Sequence, residues 1–227
     1  MLLIKRNNEM FLNKENKLNV GRVLLGALVT CVLVFSGVFW FDIPVYNFLR
    51  HFDCKFWGVL GAVFSVKSWL VVSLVILLVF YIKKILQTKL MFSFTDFYAK
   101  IRSSYAFWIF SSVFLAVSTG AVLKFIIGRA RPVLYEFVGL IGFFPFTRDT
   151  LFHSMPSGHT LASFAGLVMI GLLAPRAKWF TWSLAILIGV SRVCAGFHWP
   201  SDVIFGAFLG MVCADIVHVW MVRRLNK

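Results

Sequence analysis

The chain has 227 residues, of which 60% are hydrophobic, and its mean hydropathy is +0.86. Soluble domains are about 45–50% apolar, so this composition excludes a soluble fold and predicts a membrane protein. The formal net charge of +14 raises nucleic acid as a partner. The charges lie at the ends of apolar runs, as membrane anchors do, so no nucleic-acid partner is expected.

Six apolar runs are predicted to be transmembrane helices, which need about 20 residues each. The predicted spans cover roughly residues 20–41, 68–82, 105–127, 158–174, 179–193 and 203–222. The first run is long for a signal peptide and ends in Phe39-Trp40-Phe41, like an interfacial aromatic belt, so an uncleaved anchor is predicted. The expected fold is therefore all-α: a polytopic bundle of six transmembrane helices, with residues 1–227 forming one membrane-embedded domain.

The polar segments between these runs set the predicted orientation. Residues 1–19 and 83–104 are basic, residues 42–66 are predicted to be a loop with an interfacial helix at 56–64, and residues 128–156 form another long loop. With a cytoplasmic N-terminus, most of the 23 lysines and arginines fall on the cytoplasmic side. We therefore predict a multi-pass protein of the bacterial inner membrane with both termini in the cytoplasm.

The four cysteines show neither paired spacing nor metal-ligand spacing. Three of them lie inside apolar runs, where cysteine behaves as a small hydrophobic residue. Cys54 lies in the predicted loop. No structural disulfide and no metal site are expected.

Three short polar clusters interrupt the apolar sequence over residues 124–202. They are Lys124 to Arg131-Pro132, then Pro156-Ser157-Gly158-His159, then Ser191-Arg192 with His198 and Asp202. The first cluster closes the third predicted span, and the second and third are separated by two crossings that cancel. All three are therefore expected at one membrane face, the periplasmic one.

Cations near the lipid boundary are costly, and such residues usually mark a ligand or an ion pathway. Lys124, Arg131 and Arg192 suit a phosphate, because arginine grips it with a planar fork and lysine adds a point charge. Any one of them alone is better explained by snorkelling to lipid head groups, but three that converge with two histidines favour a ligand site. For Arg129 the two interpretations stay open.

The second and third clusters add groups that suit acid–base and nucleophilic chemistry. Ser157 is predicted to cap a helix whose free N–H groups, from Gly158 onward, attract anions, although an ordinary cap is the alternative. His159, in the first turn, suits a proton donor. Asp202 lies four residues after His198, so it can accept from one imidazole nitrogen and leave the other free as a nucleophile. A structural hydrogen bond explains this pair equally well.

The clusters resemble those of the type-2 phosphatidic acid phosphatase superfamily, the lipid phosphate phosphatases. Its three motifs, Lys-x6-Arg-Pro, Pro-Ser-Gly-His and Ser-Arg-x5-His-x3-Asp, all occur here in order. The resemblance implies a metal-independent phosphatase without a cofactor, in which His198 becomes phosphorylated and Asp202 orients it. It also implies that His159 protonates the leaving alkoxide and later activates water. By the same resemblance, the phosphoryl oxygens are held by Lys124, Arg131, Ser157, Gly158 and Arg192.

The expected partners are a lipid phosphate substrate and membrane lipids, and no oligomeric state is predicted. The substrate is predicted to be lipid A or a glycerophospholipid such as phosphatidylglycerol phosphate. One alternative is an undecaprenyl diphosphate phosphatase. Another is a phosphotransferase that passes the phosphoryl group from the same phosphohistidine to a second lipid. A third is a catalytically silent membrane scaffold.

Overall fold

The structure is a computed structural model that describes residues 11–13, 17–87 and 104–225. In these residues the fold is all-helical, apart from two isolated bridges that join Leu12 to Leu18 and Arg129 to Phe143. The helices are α1 Val20–Ser36, α2 Asp42–Arg50, α3 Lys55–Val63, α4 Val66–Gln87, α5 Tyr105–Ile127, α6 Pro132–Val138, α7 Gly158–Leu173, α8 Lys178–Cys194 and α9 Pro200–Leu225. Most of the predicted cytoplasmic segment 1–19 and of the basic linker 83–104 lies outside the described residues.

Four helical stretches in the described part of the chain are long and apolar enough to cross a membrane. They are Val20–Arg50, Lys55–Lys83, Tyr105–Ile127 and Pro200–Arg224. The other two predicted spans correspond to α7 and α8, which have 16 and 17 residues. The all-helical membrane class is therefore confirmed, with four candidate spans among the described residues, and the count of six spans stays a prediction.

The helix predicted at residues 56–64 corresponds to α3, Lys55–Val63, but the loop predicted for the rest of residues 42–66 is wrong, because most of this segment is helical as well. The first helix passes through a π-helical turn, Gly37–Phe41, and continues as α2 to Arg50. Polar side chains that suggested a loop are instead bound by other side chains: Asp42 pairs with Arg129, and Arg50 pairs with Asp53 and Glu136. Such pairing lets a charged residue occupy a helix in the protein interior.

Helix α7 is the centre of the bundle and packs against α5, α8 and α9. Its contact with α9 is unusually close, because Gly206 and Gly210 present no side chain to it. A Cβ atom at Gly206 would lie 2.9 Å from the carbonyl oxygen of Ser157, and one at Gly210 would lie 2.6 Å from that of Leu161. Small residues spaced four apart allow this approach between helices in membranes.

The close α7–α9 contact fixes the positions of two motif segments. The backbone N–H of Ser157, before α7, donates to the carbonyl oxygen of Asp202 in the first turn of α9 at 3.0 Å. The C-terminal ends of α5 and α8 lie at the same end of the bundle, where they border a common cavity with α7. Helix geometry thus gathers segments that are distant in the sequence.

Candidate active site

A cavity of about 440 Å³ lies at this end of the bundle, between α3 and the ends of α5, α7 and α8. Six of the eight predicted site residues line it: Lys124, Arg131, Gly158, His159, Arg192 and His198. The other lining residues are Gly58, Gly61, Ala62, Ser65, Val66 and Phe197. The lining therefore combines three cations and two imidazoles with small or apolar side chains.

The two remaining predicted residues, Ser157 and Asp202, lie behind this lining. Both are fully buried. Ser157 precedes α7, but its hydroxyl does not cap the helix; it accepts instead from the hydroxyl of Thr160 at 3.0 Å. The predicted side-chain cap is therefore wrong. The backbone of Ser157 keeps its place because it is tied to α9.

Backbone carbonyl groups hold two of the cations in place. Lys124 Nζ donates to the carbonyl oxygen of His153 at 2.7 Å, and Arg131 Nη2 donates to the same oxygen at 3.3 Å. Arg131 also donates to the carbonyl oxygens of Thr150 and Phe197, at 2.9 and 3.2 Å. Donors fixed before the substrate arrives need little reorganisation to stabilise developing charge.

The third cation, Arg192, is held by helix α3. Its Nη2 donates to the carbonyl oxygen of Trp57 at 2.7 Å, and its guanidinium passes so close to Gly61 that any side chain there would overlap it. This role of α3 was not predicted from the sequence. A sequence feature that could have indicated this close approach is the pair Gly58 and Gly61, which lie one helical turn apart in an otherwise bulky apolar segment.

The predicted pair of His198 and Asp202 is close, but the two side chains are not directly hydrogen-bonded. Nδ1 of His198 lies 3.7 Å from Oδ2 of Asp202. That oxygen accepts from the hydroxyl of Ser154 at 2.5 Å and from the backbone N–H of Trp199 at 2.9 Å. The Ser154 hydroxyl also lies 3.5 Å from Nδ1 of His198. Ser154 is therefore a third member of this group, and it was not identified from the sequence.

The environment of His198 favours its neutral form. Burial lowers the pKa of His198 to about 3; Lys124 and Arg131 act in the same direction, and Asp202 opposes them. The side chain is 3% exposed, with Nδ1 on the side of Asp202. A neutral imidazole beside three cations is suited to attack an electrophile that carries negative charge.

A family model described as the PAP2 superfamily matches residues 105–226, which is more than half of the chain. The chain belongs to the PAP2 superfamily. This confirms the resemblance drawn from the three motifs. The match covers α5 to α9 and so includes every motif residue.

Three known proteins are similar to this PAP2 chain over about four-fifths of its length. A lipid A 1-phosphatase of Rhizobium etli is 34% identical over 80% of this chain and 78% of that protein. A lipid A 1-phosphatase of Rhizobium johnstonii is 32% identical over 83% of this chain and 78% of that protein. The crystal structure of Aquifex aeolicus LpxE superposes with a TM-score of 0.51 at 20% identity, covering 80% of this chain and 96% of that one, which shows a shared fold. The predicted enzyme class, a lipid phosphatase, is confirmed.

Behind the PAP2 motifs lies a buried ion network that the sequence analysis did not predict. Arg129, for which the sequence allowed either a phosphate or a lipid head group as partner, is 5% exposed and does not reach the surface. Its Nη1 donates to Asp202 Oδ1 and its Nη2 donates to Asp42 Oδ2, both at 2.6 Å. Burial lowers the pKa of Arg129, but the carboxylates of Asp202 and Asp42 raise it by more, so the net shift is upward. Arg129 is therefore an internal partner of Asp202 rather than a head-group ligand.

No group of three His, Cys, Asp or Glu side chains is arranged to hold a metal ion within the described ranges. The three cationic side chains at the cavity would also repel a metal ion because they carry the same sign of charge. A cation such as Mg²⁺ prefers carboxylate and water oxygens as ligands. Metal independence stays a prediction.

Proposed function

We propose that this protein removes a phosphate group from lipid A at the periplasmic face of the inner membrane, through a phosphohistidine on His198. The observation that carries the proposal is the position of His198. It lies between a cavity lined by three cations and a buried carboxylate, Asp202. Relatives that cover four-fifths of the chain and are described as lipid A 1-phosphatases support the choice of substrate.

In the proposed first step, Nε2 of His198 attacks the phosphorus atom while the bond to the lipid oxygen breaks. Lys124, Arg131 and Arg192 bind the phosphoryl oxygens, assisted by the N–H groups at the start of α7. His159 gives its proton to the leaving lipid oxygen. The imidazole of His198 then carries positive charge, and the nearby carboxylate of Asp202 stabilises it.

In the proposed second step, water attacks the phosphorus atom and the P–N bond breaks. His159, neutral after the first step, takes a proton from this water. The products are inorganic phosphate and free His198. The phosphorylated intermediate thus divides one displacement into two easier ones.

The proposed arrangement in the membrane has six spans, in which α7 and α8 complete the four longer stretches. Both termini are then cytoplasmic, and the cavity opens to the periplasm. Helix α7 is shorter than a lipid-exposed span requires, but it is surrounded by α5, α8 and α9 rather than by lipid. Because the cavity lies at the membrane surface in this arrangement, a lipid substrate can enter it sideways from the bilayer while its acyl chains stay among the lipids.

The test is release of inorganic phosphate by the purified protein from a panel of lipid A, phosphatidylglycerol phosphate, phosphatidate and undecaprenyl diphosphate. Lipid A is expected to be the best substrate, and His198→Ala is expected to be inactive but folded. EDTA is expected to leave the rate unchanged. Normal turnover by His198→Ala would show that His198 is not the nucleophile. Preference for undecaprenyl diphosphate, or transfer of labelled phosphate to a lipid without phosphate release, would replace the proposed reaction by one of the alternatives.

A further inference from the structure

Asp42, at the start of α2, directs all of its observed hydrogen bonds to residues that support the active site. It is 2% exposed. Its Oδ2 accepts from Arg129 Nη2 and from the hydroxyl of Ser201, both at 2.6 Å, and its Oδ1 accepts from the backbone N–H of Ser201 at 2.9 Å. Asp42 does not line the phosphate cavity. Its effect on the reaction must therefore be indirect.

Arg129 connects Asp42 to the active site. Its Nη1 donates to Asp202 Oδ1 and to the hydroxyl of Ser201, both at 2.6 Å. Its guanidinium also lies 5.6 Å from the ring centre of Phe143 and 5.8 Å from that of Trp199. Arg129 is thus fixed on both of its terminal nitrogens and by two aromatic rings, and it can transmit the position of Asp42 to Asp202.

The charges in this network show what Asp42 contributes. Asp202 and Arg129 alone would be close to neutral as a pair, and a neutral pair stabilises a positive imidazole poorly. With Asp42 ionised, the three side chains carry one net negative charge beside His198. A buried arginine that keeps two carboxylate partners also avoids the large cost of an unpaired internal charge.

We propose that Asp42 is a positioning residue for phosphoryl transfer, which acts through Arg129 to fix the orientation and the negative charge of Asp202 against His198. The proposal rests on the proposed function, because it takes His198 as the nucleophile. It assigns a part in catalysis to the N-terminal helices, which lie before the segment matched by the family model.

The direct test is Asp42→Asn, which removes the charge and keeps the shape. The rate of phosphoenzyme formation and kcat on lipid A are expected to fall by about 10- to 100-fold, as in metal sites when a group that orients a ligand is replaced. KM is expected to stay within about twofold, because the cavity lining is unchanged. An unchanged kcat would overturn the proposal, and so would a rise in KM that accounts for the whole loss.

A double variant separates charge from packing. Arg129→Gln alone leaves two carboxylates facing each other, whereas Asp42→Asn with Arg129→Gln leaves Asp202 as the single charge of the three. We expect Asp42→Asn to lower kcat less in the Arg129→Gln background than in the wild type. Losses that simply add would indicate lost packing and would contradict the proposal. Where the single Asp42→Asn protein does not fold, the double variant is compared with Arg129→Gln alone, and a kcat far below that of Arg129→Gln would contradict the proposal.

Glu136→Gln is the matched control. Glu136, in α6, also binds α2: its Oε1 accepts from Tyr46 Oη at 2.6 Å and from Arg50 Nε at 3.1 Å. Among the residues that the structure describes, Glu136 makes no hydrogen bond or ion pair with Asp202. The kcat of Glu136→Gln is therefore expected to match that of the wild type. A loss in Glu136→Gln equal to that in Asp42→Asn would assign both to α2 packing and overturn the proposal. If the wild type itself forms no phosphoenzyme, the proposed function fails instead.

Discussion

Nδ1 of His198 lies 3.7 Å from Oδ2 of Asp202, and the hydroxyl of Ser154 donates to the same carboxylate oxygen. This separation is too long for a hydrogen bond. The carboxylate is instead held by Ser154, by the backbone of Trp199 and by Arg129. In the resting enzyme, Asp202 therefore acts on His198 mainly through its charge, and its position depends on the residues that surround it.

Ser154→Ala tests this dependence. The change leaves a buried carboxylate oxygen with one donor fewer, which should cost about 1–3 kcal/mol of stability. We expect kcat on lipid A to fall by about tenfold with little change in KM, because the orientation of Asp202 is lost and the cavity lining is kept. The measurements are steady-state kinetics and thermal unfolding in detergent.

Ser163→Ala is the control for Ser154→Ala. Ser163 is equally buried, in α7, and accepts from Trp69 Nε1 at 2.9 Å, away from His198. It should lower the unfolding temperature comparably and leave kcat unchanged. Equal losses of kcat in both variants would show that Ser154 acts only through stability.

The protonation of His198 gives a prediction about pH. An unfolded histidine has a pKa of about 6.5, whereas the pKa of folded His198 is about 3. The folded state therefore binds fewer protons than the unfolded state between these values, so stability is full above the higher value and is lost as the pH falls towards the lower one. In NMR spectra of protein labelled at histidine, the His198 resonances should not titrate between about pH 8 and pH 5.

His198→Gln identifies the His198 resonances, because they are missing from the spectrum of this variant. The same variant also allows a second measurement, the pH dependence of the unfolding temperature. Without the imidazole, the unfolding temperature should depend less on pH in the acid range. A His198 resonance that titrates near its ordinary value would contradict the buried, neutral nucleophile.

Helix α3 is predicted to control Arg192. Gly61→Ala places a methyl group where the Arg192 guanidinium lies, so the arginine must leave its position or α3 must move away. We expect kcat/KM on lipid A to fall by about 10- to 100-fold, approaching the loss in Arg192→Ala. Gly58→Ala, one turn earlier, adds the same methyl group in open space, and its loss should be much smaller. Similar activity in the two variants would show that Arg192 does not depend on α3.

The proposed orientation can be tested with Cys54, which is exposed at the start of α3. In a variant that keeps only this cysteine, a membrane-impermeant maleimide should label intact spheroplasts. A cysteine placed at Arg176, in the turn between α7 and α8, should be labelled only after the membrane is permeabilised. The reverse pattern would put the cavity on the cytoplasmic side.

The sequence by itself determined the membrane class, most helix boundaries and the family. Tyr105–Ile127 coincides with its predicted span, and α7, α8 and α9 differ from theirs by a few residues. These predictions succeeded because apolar runs and fixed motif spacings are local properties of the chain. The gathering of Lys124, His159 and His198 was also predicted from the sequence, since two successive helices of similar length, α7 and α8, return the chain to the end of the bundle where it started.

Only the tertiary structure decided how the motif residues are supported. Asp42 is a polar residue beside an aromatic run, and nothing local to it indicates that it pairs with Arg129. Ser154 and Gly61 likewise acquire their roles from residues far away in the chain, His198 and Arg192. A buried charge needs partners in three dimensions, and those partners are chosen by packing between helices, which no sequence spacing encodes.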